Sequence, residues 1–211
     1  MKLNFIERLI TGNPVRSLVQ RRVEGSWLKR MGTRSVYPLC LEIGCGGGTG
    51  AAVIARRFGA ERVVAIDIDP RQIERARRSM DRDLEGRVAF RVGDAMAIDE
   101  PSGKFDAVFS FGVLHHMEDW RKAVREAARV LKSGGEFFFE EPQRPFLRNV
   151  FVRLCTRHPA GGEFDFEEFK AGLEENQIET SRVRRLGRIC VFGVGRKAER
   201  HAPDARGGGQ R

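Results

Sequence analysis

The chain has 211 residues, 41% hydrophobic and 32% charged, and a formal net charge of +9. That length suits one α/β domain with short additions at its ends, and the apolar content is enough for a real core. No apolar run approaches the ~20 residues of a membrane span. Glu7 and Arg8 interrupt the apolar stretch that a secretion leader needs. Cys40, Cys45, Cys155 and Cys190 show no C-x-x-C spacing and no accompanying His cluster. They predict reduced thiols in a cytoplasmic protein, with neither a disulfide frame nor a metal site.

The charge is unevenly placed. Residues 1–34 carry eight Lys/Arg and two Glu, and residues 196–211 carry five Lys/Arg and two acids; the segment between them nets zero. No basic groove is implied for the central domain, which argues against nucleic acid as a partner.

In chain order, residues 1–36 read as a basic amphipathic helical extension. Val15, Leu18, Val19, Val23 and Trp27 share one helical face, with Arg16, Arg21, Arg22 and Lys29 elsewhere. The main domain is expected over 37–198. Tyr37 to Ile43 is a short apolar run that ends in a glycine cluster, and Thr49 to Phe58 reads as a helix. Arg62 to Asp67 is a buried strand, after which Asp69 caps a helix that has Pro70 at its first position. Strands follow at Arg87 to Val92 and Phe105 to Ser110. Asp119 caps the next helix, with Ala123, Val124, Ala127 and Leu131 at helical spacing and Gly134–Gly135 as its expected stop. Glu136 to Glu140 is a fifth strand. The stretch 141–163 is a candidate lid, with Leu147, Val150, Phe151 and Leu154 on one face and Arg144, Arg148, Arg153 and Arg157 nearby. A helix near Asp165 to Glu175 precedes two strand-like runs, about 178–186 and 188–195. These lie too close together for a crossover helix and should pair antiparallel. Residues 199–211 read as a disordered basic tail. Alternating strands and helices imply an α/β fold: a mostly parallel sheet covered by helices on both faces.

The strongest local signal is LEIGCGGGTG, Leu41 to Gly50, between a strand and a helix. Its glycines permit a tight turn and a close approach of backbone to ligand. Asp67 ends the next strand, where it can accept two hydrogen bonds from a ribose diol. Asp94 ends the third strand. These strand ends lie together at the carboxyl edge, where open α/β sheets bind ligands. The dinucleotide fingerprint G-x-G-x-x-G is broken, since its third glycine would fall on Thr49 or Ala51.

Glu42, Gly44, Gly46 and Gly48, with Asp67 in AIDIDP and Asp94 in VGDA, resemble the motifs of class I S-adenosylmethionine-dependent methyltransferases. FDAVFSFGVLHH and RVLKSGGEFFFEEP extend the likeness over residues 37–195, closest to the quinone-type and other small-molecule group. The resemblance implies a Rossmann-like seven-stranded sheet whose last strand is antiparallel. It implies S-adenosylmethionine as cofactor and S-adenosylhomocysteine as product. Gly44 to Gly46 would line the methionine part and Glu42 would orient it. Asp67 would hold the ribose, and Asp94 the adenine amino group with Ala95 beside it. The expected cofactor contacts are Glu42, Gly44, Cys45, Gly46, Asp67, Ile68, Asp94, Ala95, Ser110, Phe111 and His115.

Methyl transfer from a sulfonium needs alignment and a dry site, and a base only if the acceptor loses a proton. His115 and His116 are the candidate catalytic residues, with Glu140 and Glu141 as further carboxylates near the site. Glu140 and Glu141 must point to opposite sides of the sheet. The Asn/Asp-Pro-Pro-aromatic motif of amino-group nucleic-acid methyltransferases is replaced by Ser110-Phe111-Gly112-Val113. The expected acceptor is therefore a small or lipid-like molecule. An RNA or nucleic-acid methyltransferase and a non-catalytic S-adenosylmethionine-binding protein stand as alternatives. The basic N-terminal helix is an expected contact with the inner membrane surface.

Overall fold

In the computed structural model, residues 25–148 and 162–199 are described. They form a seven-stranded sheet of order β3-β2-β1-β4-β5-β7-β6. The strands are β1 (Leu39–Ile43), β2 (Arg62–Asp67), β3 (Val88–Val92), β4 (Phe105–Phe111), β5 (Leu131–Pro142), β6 (Ile178–Leu186) and β7 (Cys190–Lys197). The helices are α1 (Gly25–Met31), α2 (Thr49–Arg57), α3 (Pro70–Ser79), α4 (Trp120–Val130), α5 (Arg144–Leu147) and α6 (Phe166–Glu175). β1 to β5 pair in parallel, and β7 is antiparallel to both neighbours, β5 and β6. The expected antiparallel hairpin is therefore present, with β7 slotted inside the sheet and β6 left as the edge.

The central strands are buried on both faces, which explains their continuous apolar runs. Leu41, Ile43, Val64, Val108, Phe137 and Phe139 face one core, filled by Trp120 and Val124 of α4 and Phe169 of α6. Cys40, Val63, Ala65, Phe109 and Phe138 face the other, beneath α1, α2 and α3. Within that second core Phe109 stacks on Phe138 at 4.7 Å between centroids, and Phe58 meets both edge-on. Such pairs add about 0.5–1.5 kcal/mol each beyond their buried area.

Helix starts follow from local chemistry. The Asp69 side chain accepts from Arg71 N, and Asp119 accepts from Lys122 N. Asp165 and Glu168 form a reciprocal capping box on α6. Asp165→Ala should cost about 1 kcal/mol of stability, read as a lowered urea midpoint at unchanged slope. An unchanged midpoint would mean that α6 is held by its Phe169 face alone.

One boundary departs from expectation. α4 ends at Val130, and β5 begins at once with Leu131. Gly134–Gly135 therefore does not stop the helix. Gly134 takes φ +68 within a strand irregularity, where β5 runs from Leu131 to Glu136 while β4 advances only from Phe105 to Ala107. The glycines supply a bulge that sets β5 back into register.

Of the N-terminal extension, only Trp27 from the expected apolar face lies in the described part. It sits in α1, edge-on to Phe192 at 5.6 Å. The rest of that helix, the lid residues Val150, Phe151 and Leu154, and nearly all of the tail lie outside the described residues. Among the described residues no helix is long and apolar enough to cross a membrane.

Candidate functional site

The chain winds outward from β1 to β2 to β3, then returns to place β4 on the other side of β1. That reversal opens a crevice at the carboxyl ends of β1 and β4, the switch point at which such sheets take ligands. The glycine loop lies there. Cys45 N donates to Ile66 O at 2.9 Å, and Gly48 N donates to Cys45 O at 2.9 Å, so the loop is anchored on β2 and closed on itself. Gly44 has φ +67 and Gly46 φ +49, a region that side chains resist. A Cβ on Gly44 would overlap Val113, whereas a Cβ on Gly46 would meet nothing within 4 Å. Gly44 is thus packed against the loop after β4, and Gly46 faces open space.

Asp67 fastens this loop to the next. Its Oδ2 accepts from Gly46 N and its Oδ1 from Asp69 N, each at 2.9 Å. Burial pushes its carboxyl up, and those hydrogen bonds pull it down. Ile68 beside it is 46% exposed, which leaves an apolar surface next to the acid. Asp94 Oδ1 accepts from Met96 N at 2.8 Å, turning the chain after β3 with Ala95 buried beneath.

Glu42 is 2% exposed. Burial raises its carboxyl well above the usual range, helped by the nearby Asp67 charge and opposed by a backbone hydrogen bond from Ala51. Its Oε2 has no hydrogen-bond partner among the described residues. A buried carboxylate oxygen without a donor is costly. The carboxyl lies under the start of α2, where a Cβ on Gly50 would overlap Glu42 Oε1, and a ligand donor reaching the glycine loop would complete it.

On the other side of the crevice, Glu141 organises the turn after β4. Its Oε1 accepts from Ser110 Oγ at 2.9 Å, Val113 N at 3.2 Å and Leu114 N at 3.1 Å. Its Oε2 lies 2.9 Å from His115 Nδ1. Glu141 is completely buried, and burial pushes its carboxyl up to about 7 against those hydrogen bonds. Once ionised it accepts only, so it holds the His115 proton on Nδ1 and leaves Nε2 as the basic nitrogen. The His116 ring lies 4.1 Å from that of His115, between centroids.

The expected residues thus divide into two groups. Glu42, Gly44, Cys45, Gly46, Asp67, Ile68, Asp94 and Ala95 gather at the ends of β1 to β3. Ser110 and Phe111 end β4, and His115 and His116 follow it. Ser110 is fully buried with its hydroxyl on Glu141, which gives it a supporting task in the turn. Phe111 stacks on Phe109 at 5.9 Å, and Cys45 is buried within the loop. Glu140 and Glu141 do face opposite sides. Cys190 Sγ lies 4.0 Å from Glu140 Oε1 across β7, while Glu141 turns toward His115. The Ser110–Glu141–His115 chain and the Gly44–Val113 contact were not anticipated. The sequence hints at them only through the doubled acid near the end of β5.

Comparison with known proteins agrees with this geometry. Residues 41–139 match the family model of the methyltransferase domain. Over 152 residues the chain is 42% identical to 27-O-demethylrifamycin SV methyltransferase of Amycolatopsis mediterranei, covering 72% of this chain and 46% of that protein. It is 38% identical over 157 residues to 2-methyl-6-phytyl-1,4-hydroquinone methyltransferase of Synechocystis, covering 67% and 48%. The chain thus spans about half the length of these relatives. A solved methyltransferase structure from Aquifex aeolicus shares the fold with a TM-score of 0.74 at 19% identity, over 92% of this chain and 99% of that one. The cradle at the switch point, the family match over 41–139 and these relatives together make this chain a bearer of a class I methyltransferase domain.

Proposed function

We propose that the protein transfers a methyl group from S-adenosylmethionine to a small, hydroxyl-bearing acceptor, as the names of its relatives, which speak of a hydroquinone and of an O-demethylated rifamycin, suggest. The observation that carries this reading is the buried Glu42 carboxyl, set against Gly50 with its Oε2 unpartnered, at the base of the glycine loop whose Gly46 faces open space. The residues present fit the cofactor. Glu42 would take its amino group, Asp67 its ribose, Ile68 one face of its adenine, and Asp94 with Ala95 the adenine edge.

When bound, S-adenosylmethionine supplies a methyl group already activated on a sulfonium. The protein then has to orient the acceptor, exclude water and manage one proton. His115 is placed for the last task. With Nδ1–H held by Glu141, its Nε2 is the atom that would receive the acceptor's hydroxyl proton. Glu141 acts as a positioning residue, and Ser110 steadies Glu141 in turn.

The test is calorimetric titration of the protein and of Asp67→Ala with S-adenosylmethionine, S-adenosylhomocysteine and NADH. Binding of both sulfur compounds, lost in the variant, is the expected result. A preference for NADH would overturn the reading.

A further inference from the structure

The described residues expose few large apolar side chains, and three of these lie together. Phe146, Leu186 and Ile189 are 38%, 50% and 49% exposed. Backbone hydrogen bonds set them side by side: Ile189 N donates to Leu186 O at 3.1 Å, Gln143 N to Ile189 O at 2.8 Å and Phe146 N to Gln143 O at 2.9 Å. They form the tip of the β6–β7 hairpin and the turn after β5 that rests on it. The tip projects outward, since a side chain built on Gly187 would meet nothing within 4 Å. β7 runs antiparallel to β5 and to β6, so the end of β6 lies at the carboxyl edge. That edge also carries the glycine loop and the Glu141–His115 pair.

Unbalanced positive charge surrounds this tip. Residues 182–190 contain four Arg and no acid, and of these Arg185 pairs with Glu167 at 2.7 Å. Arg182 donates to the backbone carbonyls of Arg30 and Met31, and Arg184 lies over the Trp27 ring at 4.0 Å. Among the described residues no carboxylate pairs with either of them, or with Arg188 at the tip itself.

Arginines along an edge strand have an ordinary use, because charge keeps the open edge from pairing with other chains. Exposed Leu, Ile and Phe at the tip work against that use, since they add the apolar surface that promotes association. Apolar side chains ringed by cations suit a surface that offers both acyl chains and anionic headgroups.

We propose that the β6–β7 tip, with Phe146 beside it, docks on an anionic lipid bilayer. The three apolar side chains enter the boundary between headgroups and acyl chains, and Arg182, Arg184 and Arg188 lie against lipid phosphates. Docking in this pose turns the carboxyl edge toward the bilayer, where a lipid-soluble acceptor partitions. That last consequence rests on the methyl-transfer reading; the docking itself does not.

The test is co-sedimentation of the full chain with vesicles of phosphatidylcholine alone and of phosphatidylcholine with a minority of phosphatidylglycerol. Arg188→Glu and the double variant Leu186→Ser/Ile189→Ser are run beside it. Binding of S-adenosylhomocysteine, measured in parallel, reports on fold and cofactor site independently of docking. The expected result is binding to the anionic vesicles that weakens with added salt. It should fall about five-fold or more in Arg188→Glu and by a similar factor in the double variant, with S-adenosylhomocysteine binding unchanged. Three results overturn the proposal: no binding to anionic vesicles, equal binding by the tip variants, or equal binding to neutral and anionic vesicles. Loss of S-adenosylhomocysteine binding by the wild-type chain would instead overturn the cofactor reading and leave docking to be decided by the vesicles.

Discussion

Gly44→Ala should destabilise the fold by about 2–5 kcal/mol and abolish cofactor binding, whereas Gly46→Ala should lose cofactor binding with its fold nearly intact. The two positions share a left-handed backbone, which costs a non-glycine residue about 1–2 kcal/mol. They differ in what an added methyl group meets. At Gly44 it overlaps Val113, and forcing volume into a packed site costs typically about 1–3 kcal/mol more. The damage also spreads, because Val113 N is one of the donors that hold Glu141. At Gly46 the methyl group enters space free of protein atoms within 4 Å. Only the backbone term remains, so unfolding should shift by about 1–2 kcal/mol. If that space is the cofactor cradle, however, the methyl group occupies it, and affinity for S-adenosylhomocysteine should fall by tenfold or more. Urea unfolding and calorimetric titration separate the two effects. Retained affinity in Gly46→Ala would place the cofactor elsewhere. Equal destabilisation by both substitutions would show that the loop is governed by backbone strain and not by the Val113 contact.

The legible parts of this protein are those written in short range. Asp69 with Pro70, Asp119, and Asp165 with Glu168 each declare a helix start within four residues, because a cap is a contact between near neighbours. The carboxyl-edge acids Glu42, Asp67 and Asp94 are legible for the same reason: each ends a strand that its own apolar run defines. The Gly134–Gly135 pair misled because a glycine with positive φ serves a helix stop and a strand bulge equally well. The choice between them depended on the register between β4 and β5, which joins residues far apart in sequence. The same limit hid the place of β7. Spacing showed that β6 and β7 pair antiparallel, but only the sheet shows β7 lying between β5 and β6. Within the site, alternation along β5 required Glu140 and Glu141 to diverge. Which of them meets His115 depends on which face of β5 packs against the turn after β4, and that is a tertiary fact.

Glu141 is also the group whose replacement should most change how stability depends on pH. In the folded protein burial lifts its carboxyl from the ordinary 4.5 to about 7. The folded chain therefore keeps a proton over that interval that the unfolded chain has released. Stability tied to this proton is fully present below about pH 4.5 and is lost as the pH rises through about 7. The slope is about 1.4 kcal/mol per pH unit, so the full loss has a ceiling of about 3 kcal/mol. Glu141→Gln keeps the shape of the side chain. Its carbonyl can still accept from Ser110 Oγ, Val113 N and Leu114 N, and its amide can donate to His115 Nδ1. It carries no titrating proton, so that descending limb disappears. Glu42 is raised by burial as well and adds a descending limb of the same sign, which both proteins keep. The informative quantity is therefore the difference between the two unfolding free energies, followed from pH 5 to pH 8. Gln should gain on Glu steadily over that range, by up to about 3 kcal/mol. A difference that stays flat with pH would mean that Glu141 is ionised throughout, with the four groups around it outweighing its burial. His115 would then face a full carboxylate even in mild acid, with its Nδ1–H donated to Glu141 across the whole range.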